Sequence, residues 1–153
     1  MTLAARDILS DCETILEMME VETNPKRLRV LWIGALAILR MVGHILDKVD
    51  CSDPKIRLVV DEKWSDLKCE PIFSKFIEKR RNLAIKKGEV GLRGESEITV
   101  LIQSNSSRPT VATFQDCLFM PLESGFRAGE DGRDVYRDAI DWWDAVLEEI
   151  ESV

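Results

Sequence analysis

The sequence predicts a mainly α-helical domain, a four- to five-helix up-down bundle carrying one small antiparallel β-hairpin. Three observations lead there. Apolar residues recur at helical spacing over most of the chain. Two Asx-Pro steps, in "TNPKR" and "CSDPK", are helix-start signals, because proline suits the first helical position and Asn or Asp suits the cap before it. Only the stretch 97–119 turns to β-branched and aromatic composition. At 153 residues the chain is expected to form one domain, 1–153, large enough to bury about two-thirds of its unfolded surface.

The first helix is expected over 3–21, capped by Thr2, with Ile8, Cys12, Ile15, Leu16 and Met19 on one apolar face. Asn24 and Pro25 open a second helix running to about 49. Its segment "VLWIGALAILRMVGHIL" resembles a membrane span, but Arg40 and His44 interrupt it and it falls short of the roughly 20 apolar residues a span needs. A buried central helix is the expectation, with no membrane partner. Asp53 and Pro54 open a third helix, its stripe made of Ile56, Val59, Val60, Trp64 and Leu67. Pro71 restarts the pattern, and a fourth helix is expected over 72–87, stopped by Gly88, Gly91 and Gly94. "EITVLIQ" and "TVATFQDCLF" flank the turn cluster "SNSSRP" and predict the hairpin. From Gly132 the helical period returns through Val135, Ala139, Trp142, Trp143, Val146 and Ile150.

The net charge of −7 argues against non-specific wrapping of nucleic acid. The charge is polarised, however. Segment 75–93 holds seven Lys or Arg and two acids, whereas 129–153 holds nine acids and two Arg. The two ends are expected to attract each other within or between subunits. The four cysteines show no close pairing and there is one His, so neither a structural zinc site nor another metal or cofactor is expected. No basic stretch followed by an apolar one opens the sequence, so reduced thiols and a cytoplasmic location are the expectation.

Two groups of polar residues sit against the apolar pattern. On the fourth helix Arg80 falls within the stripe of Phe73, Phe76, Ile77, Leu83 and Ala84. A guanidinium there needs a carboxylate, a backbone carbonyl or an anionic ligand, since it cannot lose its charge. Arg81 flanks the stripe and Asn82 projects nearly opposite it. On the second helix Arg40, His44 and Asp47 are spaced so that neighbours in the series can touch. They form a polar strip facing solvent, a satisfied internal network, or part of a site in which the carboxylate orients the imidazole. Nucleophile elbows, phosphate-binding loops and dinucleotide fingerprints are absent from the sequence, and a single His cannot furnish paired Glu-x-x-His motifs. "GLRGES" reads as a connector.

The long apolar second helix, the "FIEKRRNLAIKKG" that ends a later one, and the Trp-bearing last helix together resemble the HEPN superfamily. These are small α-helical domains of prokaryotic toxin–antitoxin, abortive-infection and RNA-processing systems. Arg81-Asn82 matches the opening of the family motif, an Arg and a polar residue followed a few positions later by His. At the expected place of that His the chain carries Lys86 and Lys87. In nuclease members the resemblance implies that Arg and His from two subunits meet at a dimer cleft and cut RNA without metal. Lysine is a poor proton shuttle near neutral pH. The resemblance therefore implies a cytoplasmic homodimer that binds RNA, a nucleotide or a protein partner without cleavage. Its ligand contacts would be Arg81, Lys86 and Lys87, with Arg80, Arg40 and Asp47 as further candidates. Two alternatives stand beside it. One is a metal-independent endoribonuclease using Arg81, Asn82 and His44; the other is a purely structural interaction module.

Overall fold

Both Asx-Pro steps start helices in the computed structural model, which describes residues 3–93, 100–102, 110–112 and 117–152. Asn24 Oδ1 accepts the backbone N–H groups of Lys26 (3.0 Å) and Arg27 (3.2 Å), opening α2, Pro25–Lys48. Asp53 Oδ1 accepts from Lys55 N (2.8 Å), opening α3, Pro54–Cys69, after a single 3₁₀ turn at Asp50–Ser52. Each cap satisfies amide donors that have no partner inside the helix.

The first helix, α1, spans Ala4–Val21, and its N-terminus is satisfied from a distance. The expected cap, Thr2, lies outside the described residues. Leu3 stands at the cap position without a side-chain bond, and the Asp50 carboxylate accepts from Ala4 N (2.6 Å) and Ala5 N (3.0 Å). An acid from the α2–α3 connection thus closes α1, where the positive end of the helix favours negative charge.

The fourth helical stretch is not uniform. Ile72–Glu78 is wound as a π-helix, and α4 continues as an α-helix over Lys79–Lys87. Gly88, at φ 68°, ends it in the left-handed conformation, with N–H bonds from Gly88 to Ala84 O and from Glu89 to Leu83 O. The last helix, α5, covers Gly132–Glu151 and is capped by Asp131. Two short backbone segments, β1 (Val100–Ile102) and β2 (Thr110–Ala112), pair antiparallel with Val100 opposite Ala112. The rest of the stretch expected to form a hairpin, as far as 116, and the "GLRGES" connector from 94 lie outside the described residues.

Helix α2 packs against α1, α4 and α5. Its Leu28, Trp32, Ala35, Leu36, Leu39, Val42 and Leu46 are buried, and Tyr136 Oη of α5 donates to Ala35 O (3.0 Å). The stretch Pro25–Ser52 is long and apolar enough to cross a membrane by length and composition alone. It was expected to be buried nearly all round; instead its outer face leaves Val30, Met41 and His44 exposed. An aromatic cluster of Trp64, Phe73, Trp142 and Trp143, with ring centroids 4.8–6.0 Å apart, joins α3, the π-helical segment and α5.

The carboxylates of α5 are met by cations from several elements. Asp144 and Glu151 pair with Arg6, Glu149 with Lys63, and Asp138 with Arg127 (2.5 Å). Within its own first turns Asp134 takes Arg137 (2.8 Å).

Segments 88–93 and 117–131 fold together across one end of the helices. Glu123 N donates to Gly91 O and Arg93 N to Pro121 O, both at 2.9 Å. Trp32 Nε1 donates to Val90 O (3.0 Å), fastening the first segment to α2. Gly91 has φ 69°, and a Cβ there would overlap Arg80 Nη1. Gly91→Ala is accordingly expected to cost about 2 kcal/mol, from left-handed backbone strain plus displacement of a buried guanidinium. A drop in Tm of about 4–8 °C would register it.

Candidate functional site

Arg80 and Arg81 are adjacent in sequence and go to different places. Arg80 is 6% exposed, and its Nη2 donates to the carbonyl of Ser124. Burial lowers its pKa, partly opposed by the nearby Glu123 carboxylate, yet a guanidinium stays charged throughout the working range. Its charge is used internally, holding the 117–131 segment over the end of the bundle. Arg80 was a candidate ligand contact on sequence grounds; burial beneath Gly91 and Gly125 leaves it no open face.

Arg81 is half-buried and lines a cleft of about 290 Å³ between α2 and α4. The other walls are Ala37, Arg40, Met41 and His44 of α2 and Ile85 of α4. Arg81 Nη1 donates to Asn82 Oδ1 (2.8 Å), which steadies the guanidinium and, among the described residues, leaves its remaining donors without a partner. Arg40 lies with its guanidinium carbon 5.4 Å from the centroid of the Phe73 ring. A cation over an aromatic face is held at little cost to its hydration on the other side. The π-helical segment thus supplies the platform for Arg40 and immediately precedes the turn that carries Arg81. Wider π turns often mark functional positions in helices.

Asp47 does not join this group. Its Oδ1 accepts from Arg57 Nη1 (3.0 Å), its Oδ2 pairs with Lys48 Nζ (2.8 Å), and its carbonyl takes Arg57 Nη2 (3.1 Å). The Lys48 and Arg57 cations hold the Asp47 carboxyl below the usual range. The contact between His44 and Asp47 that the spacing allows is not made among the described residues; Arg57 on α3 takes the acid instead.

Asn82, Lys86 and Lys87 line a second groove, together with Ser74, Glu78 and Lys79. The segment "RRNLAIKK" is therefore distributed over three environments: Arg80 inside, Arg81 toward α2, and Asn82 with the two lysines toward the π-helical side. Sequence reasoning singled out the charged residues of the cleft but not Ala37, Met41 and Ile85. Met41 and Ile85 each follow by four residues a residue of the same wall, Ala37 and Arg81, and that spacing was the available signal.

The cleft is distinctive in charge. Among the described residues two permanent cations and an imidazole line it, and no carboxylate does. Three other clefts each carry at least one acid: Glu78 beside the lysines, Asp7 with Asp50 and Asp53 at the start of α1, and Glu20 with Asp134 near the start of α5. In the last of these the arginines are committed, Arg133 to Asp131 and Arg137 to Glu20 and Asp134. Among the described residues no group of three or more His, Cys, Asp or Glu is arranged to hold a metal ion. Compared with known proteins, the chain matches no family model, no curated protein and no solved structure.

Proposed function

We propose that the chain is a HEPN-like up-down bundle, with the 97–119 stretch as a hairpin excursion, whose α2–α4 cleft binds a phosphate-bearing ligand, RNA or a nucleotide, without cleaving it. One observation carries the binding part: Arg40, His44 and Arg81 come from two helices to line one cleft that, among the described residues, no carboxylate lines. Guanidinium groups match phosphate oxygens in geometry as well as charge. Lys86 and Lys87 at the place of the motif His support the non-catalytic part. The setting, a cytoplasmic homodimer in a prokaryotic toxin–antitoxin or defence system, is proposed on the resemblance alone. The direct test is a titration of a labelled single-stranded RNA hexamer at two salt concentrations. Binding that weakens with salt and is lost in Arg81→Ala supports the reading. Binding unchanged in that variant removes it.

His44 in the same cleft as Arg81 favours a second reading, a metal-independent endoribonuclease. There the imidazole would take the proton of a ribose 2′-hydroxyl as that oxygen attacks the adjacent phosphorus. The bond to the 5′-oxygen would break to leave a 2′,3′-cyclic phosphate, the departing 5′-oxygen taking a proton from water, and Arg81 would neutralise the charge on the phosphorane. Incubation with total RNA in the presence of a chelator separates the two readings. The binding-only reading expects intact RNA. Cleavage to cyclic phosphate ends that falls at least about 100-fold in His44→Gln would establish the nuclease instead.

A further inference from the structure

We propose that the lysine-lined groove on the outer face of α4 docks the α1 helix of a second copy of this chain, joining copies head to tail. The contact does not involve the α2–α4 cleft, and it differs from a closed homodimer, which would pair like surfaces. The groove measures about 350 Å³. Lys79, Leu83 and Lys87 form one of its ridges and Glu78, Asn82 and Lys86 the other, each at four-residue intervals. Two such ridges leave a furrow that fits a ridge of another helix. Leu83 is half-buried, while Lys79, Lys86 and Lys87 are exposed. Among the described residues none of these three lysines is in an ion pair.

The complement to this groove lies on α1 rather than on the more acidic α5. On α5, Asp134, Asp138, Asp144, Glu149 and Glu151 are already paired within the chain. On α1, Asp11, Glu13 and Glu17 are exposed and, among the described residues, in no ion pair. Between these acids runs a ridge of Ser10, Thr14 and Met18, with Val21 one turn beyond Glu17. Ser10 and Thr14 are small enough for a close helix approach, and Thr14 Oγ1 donates to Ser10 O (3.0 Å), so its hydroxyl can be covered without losing a partner. Met18 is 50% and Val21 79% exposed, apolar surface that the single chain leaves in water. Both α1 and α4 pack against α2 and hardly touch each other, which sets donor helix and groove on separate sides of the chain. A contact between such unlike patches repeats from copy to copy. Exposed ion pairs contribute little singly and are screened by salt, so the association is weak and salt-sensitive.

The test is sedimentation velocity on the full chain, free of nucleic acid, over a concentration series at about 0.05 M and about 0.5 M salt. At low salt the weight-average mass is expected to grow with concentration past that of a dimer, and at high salt that growth is expected to stop. Lys79→Glu/Lys86→Glu and Asp11→Lys/Glu17→Lys are each expected to weaken association at least about tenfold. Mixed in equal amounts, the two variants are expected to restore it. The reversed α1 of one then meets the reversed α4 of the other, and their unaltered faces meet in turn. All these positions are exposed, and an unaltered far-UV circular dichroism spectrum would show each variant folded. A wild type whose mass stays constant with concentration at low salt overturns the proposal. So does a mixture that fails to restore association, and so does association that survives either charge reversal alone, which would assign it to another surface.

Discussion

Replacing Arg40 and Arg81 together by alanine is expected to weaken binding of a single-stranded RNA hexamer about 100-fold. Each guanidinium contributes a charge-assisted bond worth about 1.5 kcal/mol, and about 1.4 kcal/mol is a factor of ten in affinity. The salt dependence should flatten in the same variant, because fewer counterions are released when fewer phosphate contacts form. Lys86→Ala/Lys87→Ala provides the contrast. Those side chains line the neighbouring groove, so their loss should lower affinity only about threefold, as expected of exposed charges acting through solvent. A reversed order, with the lysines dominant, would move the site to the Asn82 groove. Neither pair of substitutions should greatly disturb the fold, since Arg40 gives up one cation–π contact and Arg81 one bond to Asn82.

The largest expected effect on stability belongs to Asp131. Its carboxylate accepts from Met120 N (3.0 Å), Arg133 N (2.9 Å), Arg133 Nε (2.9 Å) and Arg133 Nη2 (2.7 Å), at only 11% side-chain exposure. It caps α5, holds the 117–131 segment onto that helix, and pairs with a guanidinium that also reaches Leu118 O. Asp131→Ala removes the cap and leaves the Arg133 charge half-buried without its acid, for a loss of about 3 kcal/mol. In a chain of this length that corresponds to a fall in Tm of about 6–12 °C. Burial alone would raise the Asp131 pKa, but the bonds from Arg133 and from Met120 N outweigh it and hold the carboxyl below its usual range. A group with a depressed native pKa stabilises fully above its unfolded value, about 3.9, and loses that contribution as pH falls through the native value. The stability gap between the wild type and Asp131→Asn should therefore be constant above about pH 5 and close below about pH 4. Urea melts at pH 7, 4 and 3 measure it.

What the sequence reveals and conceals divides along the range of the interactions. Asn24-Pro25, Asp53-Pro54 and Gly88 mark helix ends through contacts within a few residues, so those ends are legible. Long-range closures are not. Asp50 caps α1 from 46 residues away, and Ser124 meets Arg80 across 44. The Arg57 that takes Asp47 is only ten residues off but lies on another helix, which a projection of α2 alone cannot include. Likewise a fixed 100° step cannot foresee the π-helical turns at Ile72–Glu78. The candidate site is affected in the same way. Its charged members stand out as polar residues beside apolar stripes, whereas the meeting of Arg81 with Arg40 and His44 needs α2 and α4 side by side. The apolar wall was hidden for a plainer reason: Met41 and Ile85 look like core residues until the fold leaves them outside.

The most direct test is to follow the arginine side-chain and backbone amide resonances of the full chain by NMR while adding the RNA hexamer. The anion-site reading expects the largest shifts at Arg40, His44 and Arg81, with the buried Arg80 Nε–H unmoved. Shifts confined to Asn82, Lys86 and Lys87, or none at the α2–α4 cleft, would contradict it.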